Sequence, residues 1–178
     1  MPSIDLVLLG MVLEGPRSAY DIQKDVEYHH FSRWTRVSVP SVYRKILQLH
    51  QQGYLRREVV PGEKAAGKAV YSITESGRAR FGALMEACAG EPVALPLDFN
   101  VVIANLNKLE GDEALRLVGR LRDSIAASAR ETEGYAAAYP GIPLVGRTIF
   151  DQQLGLYRAL LDWLDGFAAQ LRGSCPHD

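Results

Sequence analysis

Two cysteines, Cys88 and Cys175, stand among 178 residues. They cannot form a disulfide framework, and their separation offers neither a CxxC pair nor Cys/His zinc spacing. Cys88 therefore reads as a small core residue. Long apolar runs are also missing. The run Leu6 to Leu9, like every other in the chain, falls far short of the ~20 residues a membrane span needs. Met1 to Gly15 contains Asp5 and Glu14 and has no basic n-region of the kind that opens a secretory signal. A cytoplasmic protein without a membrane partner is expected. Internal repeats and low-complexity tracts are absent, and so is the disorder signature of low hydrophobicity with high charge, because 47% of the residues are apolar.

Catalytic motifs are lacking as well: no GxSxG, no phosphate-binding P-loop, no GxGxxG opening a helix and no HExxH. The four histidines are His29, His30, His50 and His177. The adjacent pair cannot share a metal on one helix face, since neighbours in a helix point in different directions. An enzyme is not expected, nor a metal or other cofactor.

What is present is an uneven distribution of charge. The whole chain carries −1, but residues 1–80 sum to +4 and residues 81–178 to −5. Within the first half, residues 33–80 sum to +7, a local cationic surplus of the kind that nucleic-acid binding requires.

Apolar spacing orders the elements. Ile4, Val7, Leu8, Met11 and Val12 predict a first helix over 4–14, stopped by Gly15-Pro16. Ser18 is placed to cap a second helix, 19–28, in which Tyr20, Ile22 and Val26 alternate with polar residues. A third begins at Ser38 or Val39, with Ser38 as cap and Pro40 in its first turn, and leaves through Gly53. Its Val42, Ile46 and Leu49 share one face, while Ser41, Arg44, Lys45, Gln48 and Gln52 are expected to project from the other. Period-two patterning over 54–60 and 69–73 predicts two strands around a basic tip, 61–68, and Thr74 is placed to cap a fourth helix, 75–89. Helix, helix, helix, hairpin, helix is the winged helix-turn-helix order.

Gly90-Glu91-Pro92 and Pro96 mark a connection, giving expected domains at 1–90 and 91–178. The second domain is expected to be all helical: a short helix 99–109 capped by Asp98, a long one from 111 to about 139, and a last one over 144–171. That last helix has two adjacent apolar stripes, one with Ile149, Leu156, Leu160, Trp163, Phe167 and Leu171, the other with Phe150, Leu154, Tyr157, Leu161, Leu164 and Ala168. One packing partner needs a stripe only about 100° wide, so the excess width implies a second. The fold class is therefore mostly α with a small β-hairpin, an N-terminal winged helix-turn-helix followed by a C-terminal helical dimerisation domain.

Three stretches resemble the PadR-like transcriptional regulators, in the branch with a virulence-activator-type helical C-terminal part. Leu8-Leu9-Gly10, Glu14-Gly15-Pro16 and Ala19-Tyr20-Asp21-Ile22 are similar to the opening LLGLL…GPxxGYEI. Ser41-Val42-Tyr43, Ile46, Leu49, Gly53 and Tyr54-Leu55 resemble SVYxxLxxLExxGLI. Gly67-Lys68, Tyr71, Ile73-Thr74 and Gly77 resemble RxxKYYxLTxxG. Leu47, His50 and Ala19 depart from the pattern, so the resemblance implies no particular operator sequence. It does imply a dimeric regulator, mostly a repressor, on a pseudo-palindromic operator, released in some members by a phenolic or multidrug ligand.

On this reading Arg44, Lys45 and Gln48 are candidates for base contacts in the major groove, because Arg and Lys pair with guanine and Gln with adenine. Tyr20, Ser38, Ser41, Tyr43, Lys64 and Lys68 are candidates for phosphate or sugar contacts. Leu6, Leu9, Leu156, Tyr157, Leu160, Trp163 and Phe167 are candidates for the dimer interface. Phe99, Phe150, Tyr157 and Trp163 are candidates for a pocket between the domains for a small aromatic or phenolic effector. The competing reading is a winged helix used only for protein contacts, which should lack a basic face on its third helix.

Overall fold

A computed structural model describes residues 3–35, 37–61 and 67–174 of the chain. It divides into two compact units, Met1–Val93 and Ala94–Asp178.

In the first unit, helix α1 (Ser3–Leu13) leads into strand β1 (Arg17–Ser18) and helix α2 (Ala19–Tyr28). Ser18 is the cap the sequence places there: its hydroxyl accepts the backbone N–H of Asp21 at 3.2 Å, satisfying one of the four amides that a helix start leaves unpaired. A 3-10 turn, Phe31–Arg33, leads to helix α3 (Val39–Gln51). Ser38 occupies the N-cap position of α3 but its side chain makes no capping bond, so the expected cap is not formed. Its carbonyl instead takes the Ser41 hydroxyl at 2.5 Å.

Gly53, at φ +78°, turns the chain out of α3, a left-handed conformation that costs glycine nothing. Strands β2 (Leu55–Val60) and β3 (Lys68–Ile73) form the hairpin, with Arg57 opposite Tyr71. The sheet has a third, unanticipated member. The two residues of β1 pair antiparallel with β3, Arg17 opposite Tyr71 and Ser18 opposite Val70, in the order β1-β3-β2.

Helix α4 (Glu75–Ala89) closes the unit and packs against α1. Its cap, Thr74, accepts the Gly77 amide at 3.0 Å and donates within reach of the Gly53 and Tyr54 carbonyls, at 2.7 and 3.0 Å. One threonine thus ties the end of α3 to the start of α4.

The apolar faces of these elements meet in one core that includes Leu8, Ile22, Val26, Val42, Ile46, Leu49 and Leu55. Leu9 belongs to it with 0% of its surface exposed, so it cannot serve as a dimer contact. Burying a leucine removes roughly 1.5–3 kcal/mol of unfavourable apolar exposure, and the core is where Leu9 obtains it. Leu6 packs half-buried against the same core.

The second unit contains α5 (Asn100–Ile103), a 3-10 turn at Leu106–Lys108, α6 (Gly111–Ala138) and α7 (Leu144–Ser174). The single helix expected over 99–109 is in fact two short pieces, and Asp98 does not cap it; Phe99 holds the N-cap position without a side-chain bond. The long helices α6 and α7 pack together around Ala114, Val118, Ile125 and Leu164. An Arg122–Asp165 ion pair at 2.6 Å bridges them at the surface. Among the described residues, no helix is long and apolar enough to cross a membrane.

Candidate nucleic-acid interface

The buried stripe of α3, Val42, Ile46 and Leu49, fixes where its other side chains go. Arg44 and Gln48 lie opposite that stripe and are exposed. They form the centre of the outward face, together with exposed Gln51 and Gln52 and half-buried Ser41. No acid stands on α3.

Lys45 does not belong to this face. It turns toward α1, where its Nζ lies 2.8 Å from Asp5 Oδ1, the two side chains 21% and 10% exposed. It also donates to Gln48 Oε1 at 3.0 Å. The expectation that it projects with Arg44 fails because a carboxylate forty residues upstream claims its charge.

The opposite flank of α3, with Tyr43 and Leu47, faces the hairpin. A groove runs there, lined by Tyr20 and Ser18 at the start of α2, Tyr43 and Leu47 from α3, and Arg57, Lys68 and Tyr71 from the strands. Tyr20 and Tyr43 do not fill the core; they are 63% and 58% exposed. Lys24 Nζ sits 4.8 Å from the centre of the Tyr20 ring, a cation over an aromatic face. Lys68 Nζ donates to Asp21 Oδ2 at 2.7 Å. That bond holds the Asp21 carboxyl below its ordinary pKa, outweighing burial, which pushes it up, with further help from the Ser18 hydroxyl.

The structure thus gathers Tyr20, Tyr43 and Lys68 around one groove, with Arg44 and Gln48 on the adjoining helix face. Ser38 and Ser41 bond each other at the start of α3, 3.1 Å between their hydroxyls. Lys64 lies outside the described residues. Arg57 is the groove residue that the sequence reading passed over; its signal was the alternation of β2, which sends it to the face opposite that of Arg56.

In the second unit, Phe99 and Trp163 rings stack at 6.2 Å, and Trp163 and Phe167 at 6.1 Å with 7° between planes. Tyr157 and Leu160 pack against the α6–α7 core. Trp163 and Leu156 remain 42% and 40% exposed. Phe150 is half-buried.

Three helices, a hairpin and a closing helix define the first unit as a winged helix-turn-helix domain, followed in the sequence by a helical unit. Residues 8–83 match the Transcriptional regulator PadR-like family. Solved structures agree in fold across both units. Bacillus subtilis PadR in complex with operator DNA is 17% identical, with a TM-score of 0.77, covering 96% of this chain and 98% of that one. The same protein in complex with p-coumaric acid gives 16% and 0.79, with 95% of each chain covered. The Vibrio cholerae virulence activator AphA gives 22% and 0.67, with 96% and 98% covered. Comparison with curated proteins found no match.

Proposed function

We propose that the protein is a transcriptional repressor that binds a pseudo-palindromic DNA operator as a homodimer and is released by a small aromatic ligand. The observation that carries DNA binding is the outward face of α3, with exposed Arg44 and Gln48 and no acid, beside a groove holding Arg57, Lys68 and two exposed tyrosines. Arginine and glutamine are the side chains whose paired hydrogen-bonding groups match guanine and adenine edges, and cations beside hydroxyls suit the phosphates that fix register. A face meant only for protein contacts has no need of this set.

Two copies give the two half-sites from which operator specificity ordinarily comes. The α7 flank with Leu156, Trp163 and Phe167 supports that assembly. It leaves large apolar surface exposed, while the other flank of the helix carries Asp165 in its bridge to Arg122. The stacked Phe99, Trp163 and Phe167 rings support an aromatic effector, as does the p-coumaric acid complex of Bacillus subtilis PadR.

The decisive experiment is fluorescence anisotropy with a duplex from upstream of the protein's own gene and with a random-sequence duplex, across a salt series. Specific binding that weakens steeply with salt is expected, because each neutralised phosphate releases counterions. Absence of binding to either duplex at low salt sinks the proposal in favour of protein contacts. Adding p-coumaric acid to the complex should lower the anisotropy.

A further inference from the structure

One acid stands beside the cationic groove, and its surroundings are those of a bound anion. Asp21 Oδ2 takes a hydrogen bond from Lys68 Nζ at 2.7 Å and another from the Ser18 hydroxyl at 2.8 Å. Both donors line the groove, as does Arg57. An ammonium and a hydroxyl converging on one anionic oxygen is the donor set that a DNA phosphate oxygen takes. The pair is not locked away, since the Lys68 and Asp21 side chains are 48% and 43% exposed.

We propose that Asp21 is a phosphate placeholder: in the free protein it occupies the ammonium of Lys68, and a DNA backbone phosphate displaces it when a duplex enters the groove. The inference rests on the DNA-binding function proposed above and deepens it. Pairing the Lys68 ammonium with a carboxylate has a physical consequence. Non-specific attraction to DNA comes from free cations, so Asp21 lowers the affinity of the wing for any polyanion that does not press a phosphate into this seat.

The competing role is local, because Asp21 lies one turn from the cap of α2 and its amide and carboxylate both bond Ser18. That role involves Ser18 alone, whereas the placeholder role requires Lys68, so the two are separable. Asp21→Asn keeps the size and an oxygen acceptor for Ser18 and removes only the charge.

The experiment measures binding of a random-sequence duplex to the full chain by anisotropy over a salt series. Wild type, Asp21→Asn, Lys68→Met and the double variant are compared, and circular dichroism confirms that each is folded at the working temperature. Asp21→Asn should bind about three- to tenfold more tightly, with a log–log salt slope steeper by about one phosphate's worth, ~0.9. In the Lys68→Met background the same change should give less than half of that gain. Binding by Asp21→Asn equal to or weaker than wild type overturns the inference alone. So does an equal gain in both backgrounds, since that is what any nearby surface acid would produce. A wild type that binds no duplex at low salt overturns the proposed function and this inference together.

Discussion

Asp5 on α1 and Lys45 on α3 meet at 2.8 Å, nine-tenths and four-fifths buried. Asp5 Oδ1 makes no hydrogen bond of good geometry, so this contact is held by charge more than by directed bonding. Removing one member of such a pair leaves the other uncompensated, and for fully buried pairs costs about 3–5 kcal/mol. Asp5 is the deeper partner, whereas Lys45 has a long stem with which to reach water. Lys45→Met is therefore expected to destabilise the protein by about 2–3 kcal/mol, more than Asp5→Asn. Urea unfolding checks the order. Because Lys45 is already neutralised, Lys45→Met should leave the salt slope of DNA binding unchanged; a slope shallower by about one phosphate contact would falsify that assignment.

Arg44 has the opposite surroundings, exposed at the centre of the outward face of α3. Arg44→Ala is expected to cost about 1–3 kcal/mol of operator affinity, the value of one good base contact, and to relax preference at one base-pair position per half-site. The check is anisotropy against a set of single-substitution operators. A loss that is uniform over all duplexes would make Arg44 a phosphate contact instead.

Gly77 is the first-turn residue of α4 where the chain passes closest to the end of α3. A Cβ built there would lie 2.2 Å from the Tyr54 carbonyl oxygen and 2.8 Å from Ile73 Cγ1. The neighbouring backbone is tied in place by Thr74, whose hydroxyl reaches both Gly53 and Tyr54 carbonyls. Gly77→Ala is therefore expected to destabilise by about 3 kcal/mol, at the upper end of overpacking costs. Thr74→Ala should cost about 1–2 kcal/mol through the lost cap. Thermal melts of both variants decide, and a Gly77→Ala protein as stable as wild type would show that α4 shifts freely.

These positions also show what the sequence could and could not reveal. Ser18, Thr74 and Gly53 were legible because caps and left-handed turns depend on neighbours within four residues. The buried stripe of α3 was legible because Val42, Ile46 and Leu49 repeat with the helix. Strand β1 was not, since two residues carry no period and become a strand only by pairing with Tyr71 and Val70. Nor was the diversion of Lys45, because its partner lies on another helix. Leu9 is misplaced for a related reason: α1, with sequence SIDLVLLGMVL, is apolar on nearly every side, so spacing alone cannot say which leucine enters the core. Arg57 was hidden by its neighbour Arg56, and only the register of β2 against β3 distinguishes them.

The Arg122–Asp165 bridge gives the helical unit an acid-sensitive contact. Hydrogen bonding from Arg122 holds the Asp165 carboxyl below its ordinary 3.8. A carboxyl lowered in the folded state adds stability above its unfolded pKa and loses it as the pH falls through the folded value. Wild type should therefore melt slightly above Asp165→Asn near neutrality, with the difference fading as the pH falls below the ordinary 3.8. Both groups are exposed, so the effect is small and should shrink with added salt. Melting curves over a pH series at low and high salt check it, and a difference that persists in strong acid would point to packing instead.

The dimer proposed here turns on which flank of α7 is covered. Leu156 and Trp163, seven residues and hence two turns apart, lie one above the other on the side away from Asp165. Leu164, one residue after Trp163, is fully buried against α6, so the helix already uses its central stripe. A charge at Leu156 would be tolerated in a monomer, where the side chain is 40% exposed, and would be buried without a partner in a dimer, at a cost of several kcal/mol per protomer. Leu156→Glu is accordingly expected to be a folded monomer by light scattering with circular dichroism unchanged, and to lose cooperative binding to a two-half-site duplex. Phe167→Glu is a poorer test, because Phe167 also stacks on Trp163 and its loss would disturb the unit itself. A Leu156→Glu protein that remains dimeric at micromolar concentration places the interface elsewhere, and a wild type that is monomeric removes it.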